Sequence, residues 1–562
     1  MFPLKTDCDK RGNGELMKLN YKRTILVGFA FFLISAFWQA YDAIVPLMLT
    51  NHYGMNQFWS GLVMAMDNIL AVFLLPLFGA ISDKVASRFG KRTPFIFIGT
   101  ILAVVMFVLL TFVGNGQLSR VEDTEVVMDY SCAETLRGNV DELAEKIADK
   151  DDATLDEIYK NEKAAIDSLY ASKTIPEQYE AADSFRDATY KLIKQAKKTS
   201  NEGLEDFASA QLKVVDTLFE EIEGSTFEIT ERNIGSLVGF TLVLLLVLVS
   251  MALFRSPAVA LMPDVTIKPL RSKGNAIINL MGTAGGIIVL VLGMIFATKR
   301  IYMQYTGYVI AVCAVMVLGL VIFLVTVKEN KWAKDMQEDT ERYGIDDSTA
   351  DEGGEKRRLS RSEMVSLFLI LASVALWYIG YNSITSKFSV YATRELGFDH
   401  NITLIVAQAA AVVAYIPVGI ISSKIGRKKA ILAGIVMLTA AFVAGHFITP
   451  IVPEIIMYPV FMLAGIGWAT INVNSFPMVV ELASGSDLGK YTGYYYTASM
   501  AAQIVAPTLS GLLYGIFGMR STFFVFGSVF VALSFVTMLF VKHGDSRPEP
   551  TGALESIGAA ED

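Results

Sequence analysis

Blocks of about twenty apolar residues recur along the chain, and that is the length a helix needs to cross a hydrocarbon core. They lie at about 23–50, 57–81, 94–113, 235–262, 275–297, 305–327, 364–392, 402–422, 430–449, 455–480, 491–516 and 520–541. Lipid offers no partner to a backbone N–H or C=O, so such blocks must fold as helices that satisfy themselves. The composition agrees: 53% of the residues are hydrophobic and 19% charged, against roughly 45–50% and 25% in a soluble domain. The expected fold class is an all-α membrane protein with twelve transmembrane helices in two six-helix bundles. The first twenty residues are polar, without an apolar core ahead of a cleavage site, so no cleaved signal peptide is expected.

Polar segments divide the chain. The expected layout is 1–113 for an N-terminal segment and spans one to three, 114–233 for an acidic insertion, and 234–328 for spans four to six. A linker at 329–362, spans seven to twelve at 363–541 and a tail at 542–562 complete it. Short basic loops set orientation. Lys22 and Arg23; Lys84, Arg88, Lys91 and Arg92; Lys268, Arg271 and Lys273; and Lys424, Arg427, Lys428 and Lys429 all fall on alternate connections. The linker adds Lys356, Arg357, Arg358 and Arg361. Both termini are therefore expected in the cytoplasm, in a cell membrane, with residues 114–233 outside.

Between residues 115 and 232 there are 28 acidic and 14 basic residues, a net charge of −14, so the rest of a chain of net charge −8 carries +6. Helical periodicity runs through Leu155, Ile158, Tyr159, Ile166, Leu169 and Tyr170, with Thr154 and Glu157 spaced as a capping box. A second face combines Tyr179, Ala182, Phe185, Leu192 and Ile193, after Pro176 in the first turn. A bundle of three or four helices is expected, with a partly disordered acidic loop as the alternative.

The two halves repeat. Gly79-Ala-Ile-Ser-Asp83-Lys84, then Gly90-Lys91-Arg92, follows the second span; Gly419-Ile-Ile-Ser-Ser423-Lys424, then Gly426-Arg427-Lys428, follows the eighth. Asp264 and Lys273 follow the fourth span, and Glu481 and Lys490 follow the tenth at the same separation of nine. The insertion accounts for the excess length of the first half.

The hairpin "GAISDKVASRFGKRTP" (79–94) resembles the loop between the second and third helices of the major facilitator superfamily. Its longer form is similar to the glycoside–pentoside–hexuronide:cation symporters and to sucrose transporters. "RSPAVALMPD" (255–264) resembles a pattern of the latter. The resemblance implies the major facilitator fold, a site between the halves, and a cavity lined by spans seven and ten. There are two departures: Ser423 stands where the first half has Asp83, and Asp67 has Ala71, not a second carboxylate, one turn on. The second departure weakens a sodium site and makes a proton the expected coupling ion, with sodium as the alternative.

Ionisable groups inside a membrane are costly and mark functional sites. Asp42, with Gln39 one turn before it, and Asp67, beside Asn68, are the candidate proton carriers. Arg255 is a candidate for binding a substrate hydroxyl or pairing with a carboxylate; snorkelling to the interface is its alternative. Trp377, Tyr378, Tyr381, Asn382, Trp468, Asn472 and Asn474 suit a sugar, rings stacking on its C–H face and amides reading its hydroxyls; helix packing is the alternative. Of these, Tyr378, Asn382, Trp468 and Asn472, with Gln39 and Arg255, form the expected substrate site. Asp83, Arg88, Lys91, Arg92, Asp264 and Glu481 are read as gating residues, with topology anchoring as the alternative for the basic ones.

Other chemistry finds no support. His52, His400, His446 and His543 are scattered, and Cys8, Cys132 and Cys313 have no metal spacing. No phosphate-cradling loop is present. No enzyme activity, cofactor, metal or nucleic acid is expected. The expected function is proton-coupled symport of a sugar, a glycoside or disaccharide, with membrane lipid around it and an unknown partner for the insertion. Transport or export of another organic solute, or sensing without transport, are the alternatives.

Overall fold

The computed structural model describes residues 19–85, 87–125, 131–148, 152–267, 270–342, 360–482 and 488–544. The terminal tails, Lys268 and Lys356 to Arg358 lie outside the described residues, as do the side chains of Lys273, Ser423 and Lys490.

The first half begins with α1 (Tyr21–Leu47), α2 (Gln57–Asp83) and α3 (Thr93–Asp123). Four polar helices follow: α4 (Ser131–Ile147), α5 (Ala153–Ala171), α6 (Ile175–Lys198) and α7 (Glu202–Arg232). Then come α8 (Ile234–Asp264), α9 (Arg271–Ile295) and α10 (Thr306–Thr326), and a linker helix, α11 (Glu329–Arg342). The second half comprises α12 (Arg361–Thr385), a single turn α13 (Phe388–Val390), α14 (His400–Ile425), α15 (Arg427–His446), α16 (Met457–Val480), α17 (Leu488–Phe517) and α18 (Met519–Leu539). The fold is all-helical, and no strand occurs among the described residues.

Eleven of the described helices are long and apolar enough to cross a membrane. By this measure α14 contributes only the shorter apolar stretch His400–Tyr415 among the described residues, so the expected count of twelve is not reached. Local signals fix several starts. Asn20 accepts from the Arg23 amide (3.1 Å), Asn56 from Trp59 (3.0 Å), and Ser360 with Glu363 forms a capping box.

Helix α3 has no cap of its own. Its N-terminus is capped from 236 positions away by Glu329, whose carboxylate accepts from the Lys91, Arg92 and Thr93 amides (2.7, 2.9 and 2.8 Å) and from Thr93 Oγ1 (2.7 Å). An anion on three unpaired amides at the positive end of a helix dipole is a strong arrangement. Gly90 is required beside it: φ is +117°, and a Cβ there would lie 2.1 Å from Glu329 Oε2. The start of the expected linker is thus a structural part of the first half.

The insertion is a four-helix bundle. Leu136, Phe185, Leu218 and Ile222 form one end of its core, and Leu143, Leu155, Tyr190 and Leu192 the other. Two expectations fail locally. Asp152, not Thr154, caps α5, accepting from the Thr154 amide (2.9 Å), whereas the capping box in this bundle is Thr174 with Glu177. Tyr170 turns outward, under the Arg137 guanidinium. Helix α3 continues ten residues beyond the expected end of span three, and α7 meets α8 with only Asn233 between them. At that second joint the bundle grows directly out of a membrane helix.

The repeat is visible in the backbone. Helix α1 and the α12–α13 pair each end in a wide π-helical turn, Met48–His52 and Tyr391–Leu396. At the opposite end, Gly426 precedes α15 with φ +94°, much as Gly90 precedes α3.

Two outcomes are expected. Glu329→Ala should cost about 2 kcal/mol or more and lower the midpoint of thermal unfolding in detergent, since it strands three amides and a hydroxyl. Glu162 is buried in the bundle, with Thr189 Oγ1 at 3.4 Å from one carboxylate oxygen, and burial pushes its carboxyl from 4.5 up to about 7. The folded state then binds more protons than the unfolded chain between those values, so stability falls as pH rises from about 4.5 through 7. A shift of that size is worth on the order of 3 kcal/mol. Glu162→Gln should raise the unfolding temperature at pH 7.5 more than at pH 5.

Candidate functional site

The two halves meet mainly through α2 against α17 and α9 against α14. Helices α2 and α17 touch where glycine allows it. A Cβ on Gly61 would lie 2.1 Å from the Pro507 carbonyl oxygen, and one on Gly511 would lie 2.2 Å from that of Gln57. Both positions are at the end that carries the insertion. Toward the linker end the helices part: Ala71, Leu75, Gly79 and Asp83 face Tyr496, Met500 and Ile504 across a cavity of about 770 Å³.

Bonds between the halves gather on the insertion side. Gln408 Nε2 donates to Gln39 Oε1 (2.6 Å), and Asn401 Nδ2 to Thr298 Oγ1 (3.0 Å). Lys387, fully buried, donates to Ser60 Oγ (2.7 Å) and Gln57 Oε1 (3.2 Å). Arg394, in the second π turn, donates to Asn51 Oδ1 (2.6 Å) and the Thr50 carbonyl (3.1 Å), both in the first. Its guanidinium also pairs with Glu223 of the insertion. Burial pushes the Glu223 carboxyl above its ordinary value, against the pull of Arg394.

Between the closed and open ends lies a cavity of about 200 Å³, lined by Asp42, Asp67, Asn68 and Arg255 of the first half and Asn382, Ser386 and Gln503 of the second. Four sequence candidates from four helices thus share one space. Asp42 is exposed to that space although it lies deep in α1, and Asp67, Arg255 and Asn382 are half-buried. Asp67 Oδ1 accepts from the Asn68 amide (2.6 Å) and Nδ2 (2.7 Å). The Arg255 guanidinium lies over the Trp38 ring, 5.4 Å from its centre. Asn382 Nδ2 donates to the Tyr378 carbonyl (2.8 Å), so its amide oxygen has no part in that bond.

The other sugar candidates lie outside this cavity. Trp468 stacks on Tyr381 at 3.6 Å and meets Tyr378 edge-on at 5.2 Å. Asn472 is half-buried on α16, with Ser475 Oγ at 3.5 Å from its carbonyl. Trp377 is fully buried in the core of the second half, and Asn474 is buried with its amide on the Thr470 carbonyl, so both are packing residues. Gln39 bridges the halves beside the cavity.

Arg92 organises the hairpin. It pairs with Asp83 and Ser82 and donates through Nε to Asp264 (2.8 Å), while Lys91 reaches Asp264 at 3.2 Å. Arg427 pairs with Glu481 in the second half, as the repeat implies. Arg88 lies over Phe89 and stands apart from the cluster. The cluster joins α2, α3 and α8 within one half.

Lys387, Arg394, Asn51, Gln408, Glu223 and Glu329 were not foreseen. An intramembrane lysine is itself a signal, and Lys387 carried it. Arg394 lies past the expected end of span seven, and the partners of Glu223 and Glu329 are 171 and at least 236 positions away.

Two helical halves closed at one end, with a polar cavity between them, define a membrane transporter. The chain belongs to the Major Facilitator Superfamily, whose family model matches residues 234–483 and 401–560. A second family, MFS/sugar transport protein, matches residues 26–133. Solved structures share the fold at low identity. A POT family transporter in complex with 5-aminolevulinic acid is 10% identical, with a TM-score of 0.54 over 92% of this chain and 96% of that one. A D-xylose–proton symporter is 12% identical, with a TM-score of 0.50 over 93% and 99%. A bacterial homologue of the iron transporter ferroportin, in an inward-facing state, is 10% identical, with a TM-score of 0.50 over 93% and 99%.

A side chain at Gly61 should keep the insertion end from closing. Gly61→Val is expected to fold as a monodisperse protein yet to lose most turnover, read as solute exchange across proteoliposomes.

Proposed function

We propose that this chain is a proton-coupled symporter of a sugar, a glycoside or disaccharide, working by alternating access with both termini in the cytoplasm of a cell membrane. Helix α14 is then counted as the twelfth crossing, and the insertion stands outside. The observation that carries the reading is the composition of the central cavity. Two carboxylates, Asp42 and Asp67, face one guanidinium, Arg255, beside the amides of Asn382 and Gln503. That set has one negative charge in excess, and a charge in a low-dielectric region is costly. One proton cancels it, and the amides and the guanidinium remain to hold hydroxyl groups.

The sugar class is supported by the match of residues 26–133 to MFS/sugar transport protein and by the likeness of Arg255 to Asp264 to the sucrose-transporter pattern. Tyr378, one turn before Asn382, packs with Tyr381 and Trp468 and supplies aromatic surface for a sugar. The closed insertion end and parted linker end correspond to the cytoplasm-facing half of the cycle. The Asp83–Arg92–Asp264 cluster keeps the first half rigid during the swing, and Arg427–Glu481 does the same for the second.

The test is uptake of labelled disaccharides into proteoliposomes. A proton gradient should drive accumulation, and a protonophore should remove it. Asp67→Asn and Asp42→Asn should each reduce gradient-driven accumulation at least tenfold, with counterflow less affected. Binding without counterflow would instead mark a sensor, and accumulation indifferent to the gradient would exclude coupling.

A further inference from the structure

Among the described residues the insertion is fastened to the first half at several points. Helix α3 runs into it, and α7 joins α8 through Asn233 alone. Thr230 Oγ1 donates to the Tyr53 carbonyl (2.9 Å) and accepts from Gln117 Nε2 (3.0 Å). Gly54, at φ +62°, lies so close under α7 that a Cβ would come 2.4 Å from the Phe227 nitrogen. Tyr302, from the loop before α10, packs on Tyr179 and lies 3.3 Å from Thr226 Oγ1. The bundle and the first half therefore move as one body.

Its contacts with the second half are of another kind: few, discrete and mostly charged. Glu223 pairs with the Arg394 guanidinium, and Arg186 Nη1 donates to the Arg394 carbonyl (2.6 Å). The Arg520 guanidinium lies over the Tyr190 ring, 5.1 Å from its centre, and Ile451 packs against the bundle core. Around them a cavity of about 800 Å³ separates the bundle from α15, α17 and α18, with Trp59, Glu220 and His446 among its lining residues. A small set of bonds spanning a gap is released as a unit when the two sides rotate apart, which a broad packed face would resist.

We propose that the insertion is a clamp: rigid with the first half, it holds the second through Arg394 and prolongs the state in which the insertion end is closed. Arg394 is the shared point, because the same guanidinium is bound by Asn51 and the Thr50 carbonyl. Opening the insertion end must break all these bonds together. Contacts made in one state only shift the balance by their own free energy. The clamp rests on the alternating-access reading above, and its test separates the two.

The test is sided cysteine modification in the full chain, with Cys8, Cys132 and Cys313 replaced by alanine. Ser386→Cys, in the central cavity, is modified by a membrane-impermeant maleimide added on the insertion side. Thr497→Cys, in the linker-side cavity, is modified from the other side in inverted vesicles. Glu223→Gln should speed the first reaction about tenfold and slow the second. Arg186→Met should act in the same direction and serves if the first variant folds poorly. Glu228→Gln, on an exposed face of α7, should change neither. Lys387→Met, which loosens the halves without touching the insertion, should shift the two rates oppositely. If it does so while Glu223→Gln and Arg186→Met leave both rates at parental values, the clamp is refuted and alternating access stands. If Lys387→Met also fails to move the rates in opposite directions, alternating access falls and the clamp with it. If Glu223→Gln speeds the first reaction without slowing the second, the insertion is merely a cover, and the proposal is overturned.

Discussion

Three parts of the chain meet at one guanidinium. Arg394 leaves the second half, is bound by the first through Asn51 and the Thr50 carbonyl, and is neutralised by Glu223 of the insertion. A buried cation has few tolerable arrangements: it must be paired, and its remaining N–H groups need acceptors. Meeting those demands draws two π turns and a soluble-type bundle to a single point. The closed end of the molecule is built around that need, with Lys387, Gln39 and Asn401 as lesser crossings of the same interface.

The duplicated architecture explains why closure at one end accompanies parting at the other. Each half is held together at the linker end by its own ion pairs, Arg92 with Asp83 and Asp264, and Arg427 with Glu481. These bonds stay within a half, so they stiffen each half without joining the two. Where the halves touch, at Gly61 and Gly511, contact requires the absence of a side chain. A glycine-lined contact thus closes one end, and the central carboxylates line a polar cavity between it and the parted end.

The insertion breaks the symmetry of the repeat. It adds net negative charge to one face, and its core clusters draw on the rest of the chain through Val121 of α3, Ile301, Tyr302 and Ile451. Its joint to α8 is the single residue Asn233. A bundle so attached cannot drift independently, and whatever it touches on the far side becomes part of the transporter's own energetics. Its links to the second half are polar and separated by open space.

Much of this was legible in the linear chain. Apolar block length determined which segments are helical, because lipid leaves the backbone no alternative, and periodicity marked the bundle faces through Phe185, Leu192 and Leu155. The matched glycine-basic hairpins revealed the duplication, and the cost of burying charge singled out Asp42, Asp67 and Arg255. Other features lay beyond such signals. Glu329 caps a helix that begins 236 positions earlier, the surroundings of Tyr378 and Trp468 depend on which face of each helix turns inward, and Arg394 looks like any loop charge until its partners are known. The sequence by itself settled what each segment must be, since that depends on local period and on transfer from water to lipid. Only the tertiary structure decided which charges share a space and which end is shut, because those follow from contacts between residues far apart in the chain.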